Sequence, residues 1–221
     1  MVDIFDEVSE DLRAEQAANL LKRYASLLIG AALLVLAGVG AQQGWQYYQK
    51  RQNDQAAISF IALTDQIDAQ GTGITNDQRV ADAKALVNFA ATAQPGYRAL
   101  ATLRAAALYQ DAGQTDAADA LWNQVGADTG ADPLLRDLGN LLWAQHALGT
   151  APNDAVAARL QPLSAPENPY HALAEETQAL LYLHEGKTDQ AKALFSQISS
   201  DPNAPEAVRN RANGLLAKLN G

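Results

Sequence analysis

The chain has 221 residues, 25 acidic against 16 basic, a net charge of -9 and no cysteine. Without cysteine there is no disulfide, no thiolate catalysis and no Cys-ligated zinc or iron–sulfur site. The negative charge divides into -3 before residue 24 and -6 from Lys50 onward, so phosphate backbones are repelled and nucleic acid is excluded as a partner.

Residues 1–23 read as an acidic tail. Phe5, Val8 and Leu12 fall on one helical face, and Ser9 before Glu10-Asp11 resembles a helix start. Next, residues 24–41 read YASLLIGAALLVLAGVGA, and no charged side chain occurs before Lys50. Eighteen helical residues rise about 27 Å, and Trp45, Tyr47 and Tyr48 have the amphipathic rings that prefer a headgroup boundary. Residues 24–48 are therefore expected to form a transmembrane helix in contact with membrane lipid.

Val39-Gly40-Ala41 before Gln42 would also suit a signal peptidase, but six acids precede the apolar run against three basic residues, which is the wrong opening for a signal peptide. An uncleaved anchor is the stronger reading. Three basic residues near its N-terminal end against Lys50 and Arg51 favour an N-terminus in the cytoplasm. Ser26/Gly30, Ala37/Ala41 and Gly40/Gly44 are small pairs four apart, which suits close approach of another membrane helix.

Beyond the aromatic belt, Ala57, Phe60, Ile61, Thr64 and Ile67 keep helical spacing up to Gly71-Thr72-Gly73. Residues 49–74 are thus a stalk helix and linker. Thr75-Asn76-Asp77-Gln78 fits a capping box and opens a helix reaching about Ala93, before Pro95-Gly96.

From Pro95 the chain repeats itself. Residues 95–122 match 168–195 at a constant offset of 73, including Tyr97/Tyr170, Leu100/Leu173, Leu108/Leu181, Tyr109/Tyr182, Gly113/Gly186, Thr115/Thr188, Ala118/Ala191 and Leu121/Leu194, with Trp122 opposite Phe195. Gly113 and Gly186 are placed to end a helix in the left-handed region. Thr115 and Thr188 are expected to cap the next helix, with Asp116 and Asp189 at its positive end. The alanines permit close helix approach, and Trp122 and Phe195 fill the space between pairs. The register continues through Arg136/Arg209, with Pro133 and Pro205 one residue out of step, so the unit is two hairpins and the last helix is a cap.

Catalytic groupings are missing. His146, His171 and His184 are isolated, there is no HExxH, GxGxxG or P-loop, and Glu175-Glu176 point different ways from one helix. The expectation is no enzyme, no cofactor, no metal and no small-molecule substrate.

The order Tyr109, Gly113, Ala118, Trp122, and again Tyr182, Gly186, Ala191, Phe195, resembles the tetratricopeptide repeat. Its tryptophan position is Thr102 in one copy and Glu175 in the other, and the pair from Leu134 to about Leu163 is degenerate. The expected fold is all-α: one N-terminal transmembrane helix, then a tetratricopeptide-like solenoid of helical hairpins over residues 75–221. By that resemblance the concave lining comes from the first helix of each pair, here Leu100, Leu103, Ala107, Gln110, Leu173, Glu176, Leu180 and Leu183. The alternative is that the stalk or a neighbouring helix covers them.

The opening DIFDEVSEDLRAE, the basic pair, the single anchor, the exit WQYYQKRQ and the alanine-rich repeats together resemble the tetratricopeptide-like family of ancillary SecYEG translocon subunits, in an alphaproteobacterial form. Membership implies an inner-membrane protein with a cytoplasmic N-terminus and periplasmic repeats. Its partners would be the SecYEG translocon and periplasmic chaperones, to which it would pass exported chains. An envelope scaffold for a division or respiratory complex is the alternative use of the same repeats.

Overall fold

A computed structural model describes the backbone of residues 4–71 and 73–221, and side chains from Leu34 onward except at Thr72. Every regular element among these residues is helical. The first, α1 (Ile4–Asp68), is one helix of 65 residues. It is followed by α2 (Asn76–Thr92), α3 (Pro95–Asp111), α4 (Thr115–Ala127), α5 (Pro133–His146), α6 (Asn153–Leu160) with a 3-10 turn (Gln161–Ser164), α7 (His171–His184), α8 (Thr188–Ser200) and α9 (Glu206–Leu219). Ser9 lies within α1 rather than at a helix start.

The chain divides into two compact units, Met1–Gln55 and Ala56–Gly221. In the first, Leu34, Val35, Leu36, Trp45, Tyr47 and Tyr48 are all exposed, pointing around the helix rather than to one side. Among the described residues no helix is long and apolar enough to cross a membrane. The side chains of residues 24–33, most of the first half of the expected span, lie outside the described ones.

The second unit begins earlier than residue 75, because the last turns of α1 are packed into it. Ile67 is 4% exposed and shares a core with Ala83, Leu86, Ala101, Ala105 and Leu108, joined by Phe60 and Leu63. Phe60 meets Tyr97 at a ring distance of 5.9 Å and Asp68 pairs with Arg104. Both contacts advance together in sequence, so these turns of α1 run beside α3 in the same direction. They are the first helix of the first pair, with α2 as its second.

The same backbone device ends the first helix of every pair. Gly71, Gly113, Gly149 and Gly186 follow α1, α3, α5 and α7 with φ of 71°, 77°, 79° and 75°, a region where a Cβ is strained and glycine is not. After α3 the turn closes with Gln114 N–H donating to the Tyr109 carbonyl at 2.8 Å, and after α7 Lys187 N–H donates to that of Tyr182 at 2.8 Å. These reversals satisfy carbonyls that a helix end leaves free. They also take the position expected for a cap: Thr115 and Thr188 are already the first helical residues, Gln114 and Lys187 precede them, and no side chain caps either helix. Thr75 does cap α2, accepting from Gln78 N–H at 3.2 Å. The Gln78 amide donates to Asp82 at 3.1 Å instead of completing the box.

Alanines set the spacing. Ala101, Ala105, Ala106 and Ala118 are fully buried, and Trp122 and Phe195, 1% and 0% exposed, fill the gaps between pairs. The degenerate pair α5–α6 packs differently. Gly139 lets α5 approach α4 so closely that a Cβ would lie 3.1 Å from the Trp122 carbonyl oxygen. Arg159 from α6 stands 4.4 Å over the Trp143 ring and donates to Asn123 and Asn140. Here a cation–π contact and hydrogen bonds to two asparagine side chains join three helices where the other pairs use alanines and an aromatic ring.

Candidate functional site

Four large apolar side chains of the second unit are exposed: Ile58 (69%), Ile61 (54%), Leu100 (37%) and Leu134 (44%). All four stand on first helices of pairs, α1, α3 and α5. The opposite side of α1 carries Phe60, Leu63 and Ile67 into the core, so Ile58 and Ile61 face outward by helical spacing. An apolar side chain left in water on a helix that already has a buried stripe is available for a partner.

The expected lining residues separate into two groups. In the first copy, Leu100 is exposed, but Leu103 is 7% exposed and packs with Ala99, Ala118, Trp122 and Val125. Ala107 borders a cleft of about 340 Å³ formed with Ile67, Leu108, Asp111 and the Asp68–Arg104 pair. Gln110 is half-buried, and its side-chain oxygen has no hydrogen-bond partner among the described residues.

In the second copy the face is covered. Leu173, Leu180 and Leu183 are partly buried against a core that includes Val208 and Ala212 of α9, flanked by Leu215, Leu216 and Leu219. Glu176 is 7% exposed and held by Arg211 of α9. The terminal helix thus takes the place beside α7 that α5 takes beside α3, where Leu135 and Leu138 pack against the cluster containing Leu103, and the available apolar residues lie toward the first pairs.

Sequence spacing alone missed Ile58 and Ile61. They sit in the same helical period as Phe60 and Ile67, and which side of α1 is buried depends on α2 and α3, far along the chain.

The three histidines occupy unlike places. His146 is exposed yet stacks on the buried Trp122 ring, centroids 4.6 Å apart and planes 11° from parallel. Beside it, burial raises the Asp119 carboxyl above its usual value, with the His146 charge opposing and Asp116 reinforcing the shift. His171 Nδ1 lies 2.8 Å from the Ser164 carbonyl oxygen. His184 borders Gly149, where an added Cβ would meet its ring at 3.3 Å. Among the described residues no group of His, Asp or Glu is placed to hold a metal ion. The chemistry this surface offers is apolar contact edged by ion pairs.

Comparison with known proteins places residues 19–217 on the model of a tetratricopeptide repeat-like domain. An ancillary SecYEG translocon subunit of Escherichia coli (strain K12) is 27% identical over 187 residues, which cover 83% of this chain and 87% of that protein. No solved structure matches.

Proposed function

The chain belongs to the tetratricopeptide repeat-like domain family, and from that premise we propose that it is a non-enzymatic protein-interaction module attached to the Sec translocon. The observation that carries this reading is the alignment with an ancillary SecYEG translocon subunit along most of both chains. The family model likewise matches from residue 19, within the first helix, to residue 217, so the likeness is not limited to the repeats.

Residues 24–48 are read as the membrane anchor. Support comes from their uncharged, largely apolar sequence and from the exposure of Leu34, Val35, Leu36 and Val39 around a helix that is 65 residues long. Apolar side chains pointing in every direction suit lipid and not a one-sided protein core. The acidic tail 1–23 is assigned to the cytoplasm and the repeats to the periplasm of the inner membrane. The exposed residues Ile58, Ile61, Leu100 and Leu134 are then the surface that receives segments of exported chains, which the protein passes to periplasmic chaperones.

Photo-crosslinkers at Leu36 and at Ile61, placed singly in the full chain in intact membranes, test both halves of this reading. Translocon subunits captured from Leu36, and exported chains or chaperones from Ile61, are the expected products. A fixed stoichiometric complex of other envelope proteins at both positions would overturn it in favour of an assembly scaffold.

A further inference from the structure

The two copies of the repeat treat one position in opposite ways. Glu175 stands in the second copy where the first has Thr102, and its carboxylate is enclosed: Gln197 of α8 donates to Oε1 at 2.9 Å, and His171 Nε2 lies 3.5 Å from Oε2. Leu160 and Leu163 are fully buried and pack in one cluster with Ala174, the residue before Glu175. These residues come from the second helix of one pair, with its 3-10 turn, and both helices of the next.

Each has a counterpart at the same 73-residue offset in the first copy, and there the space is open. Arg98 corresponds to His171, Gln124 to Gln197, Val87 to Leu160, Ala90 to Leu163 and Thr102 to Glu175. Arg98, Gln124, Val87, Ala90 and Thr102, with Leu121, line a cleft of about 420 Å³ between α2, α3 and α4. The floor is hollow because Val87 and Ala90 are smaller than the leucines they replace. Thr102 has no carboxylate, and its hydroxyl is turned to the Arg98 carbonyl at 2.8 Å.

What persists is the half of the arrangement that faces a carboxylate: a cationic side chain and a primary amide. Arg98 donates to the Ala93 carbonyl at 3.2 Å and enters none of the ion pairs among the described residues. A guanidinium can offer a carboxylate more than one N–H, whereas an imidazole has one on each nitrogen. The first copy is therefore at least as well equipped for an acid as the second, and lacks only the acid.

We propose that this cleft is a receptor for a glutamate side chain of a partner polypeptide, its methylenes over Val87, Ala90 and Leu121 and its carboxylate between Arg98 and Gln124. The second copy carries the same occupant as part of its own chain. This site lies apart from the exposed face of the first helices and stands or falls separately from it.

The test uses the full chain in detergent with labelled alanine and valine methyl groups, titrated with the peptide Ac-Ala-Leu-Glu-Leu-Ala-NH2 and with its Gln counterpart. Saturable shifts of the Val87, Ala90 and Ala91 methyls are expected with the Glu peptide, and affinity at least tenfold lower with the Gln peptide. Thr102→Glu should remove the response by supplying the carboxylate internally, while retaining the wild-type circular dichroism spectrum. Arg98→Gln, which introduces no new charge, should weaken the Glu peptide to the level of the Gln peptide. Equal binding of the two peptides, no saturable shift, or an undiminished response in Arg98→Gln would overturn the proposal. Crosslinking from Ile61 in the same Arg98→Gln protein should be unchanged, which separates this site from the interaction face proposed above.

Discussion

Arg211 of α9 grips Glu176 of α7 with two hydrogen bonds, from Nε at 2.7 Å and from Nη2 at 2.6 Å. The carboxylate side is 9% exposed and the guanidinium 51%, so the buried partner depends on the exposed one. Parallel N–H donors match the two carboxylate oxygens, and this bond raises the Arg211 pKa above its usual value. Arg211→Ala should destabilise the second unit by about 2 kcal/mol, reduced by the solvent around the guanidinium but enlarged by the carboxylate left behind. The double variant Glu176→Gln/Arg211→Met should recover more than half of that loss in thermal melts. A single variant as stable as the parent would show that α9 is held by its leucines alone.

Trp122→Ala should cost about 3 to 5 kcal/mol, the usual range for an aromatic side chain removed from a packed interior, since the ring is 1% exposed. His146→Ala should cost about 1 kcal/mol, because it removes a stacked ring from one face of the indole. Denaturant unfolding gives both values, and a shift of tryptophan emission in His146→Ala checks that the stack has been lost.

The first copy separates surface from core along a single helix. Leu103→Glu puts a carboxylate among Ala99, Ala118, Trp122 and Val125 and should abolish the melting transition. Leu100→Glu and Ile61→Glu should melt as the parent does and lose crosslinks to partner segments. Normal melting with normal crosslinking in both would remove this face as the interaction surface.

Two carboxyls give the stability a distinctive pH dependence. Burial raises Glu175, with Asp201 reinforcing the shift while His171 and the Gln197 bond oppose it. Burial likewise raises Asp119. A carboxyl whose folded pKa lies above its unfolded value holds its proton more tightly in the folded chain. Its contribution is fully present below the unfolded value, about 4, and is lost as pH rises through the folded one. Asp119→Asn should therefore gain stability relative to the parent over that interval and converge with it at lower pH, whereas Glu175→Gln also gives up the His171 partner and should gain less. Parallel melts across it are the check, and a constant offset would remove these groups as the cause.

Much of this architecture was legible because its signals are local. Tyr109, Gly113, Ala118 and Trp122 declare a hairpin within fourteen residues, and the 73-residue offset repeats the declaration. Local signals failed where two solutions satisfy the same backbone. A capping threonine and a glycine reversal both start a helix, and the reversal left Thr115 one position too late to cap. Spacing showed that α1 is amphipathic near Phe60 but not that its last turns belong to the repeats, since the covering helices come later in the chain. The covering of Leu173, Leu180 and Leu183 by α9 was hidden for the same reason. The open cleft beside Thr102 required knowing that Gln124 and Val87, from different helices, meet there.

The left-handed glycines that end first helices recur at intervals of 42, 36 and 37 residues, whereas the side-chain pattern recurs only every 73. The two rhythms have different consequences for the gain and loss of segments. Excising a stretch of about one glycine interval would let the helices stack again but would break the alternation of neighbours, for instance setting α3–α4 directly against α7–α8 without the pair held by Arg159 between them. Excising two would restore both helices and neighbours. Length variation among related chains should therefore come in double steps, and a single-step variant should carry compensating changes around Asn123, Asn140 and Gly139.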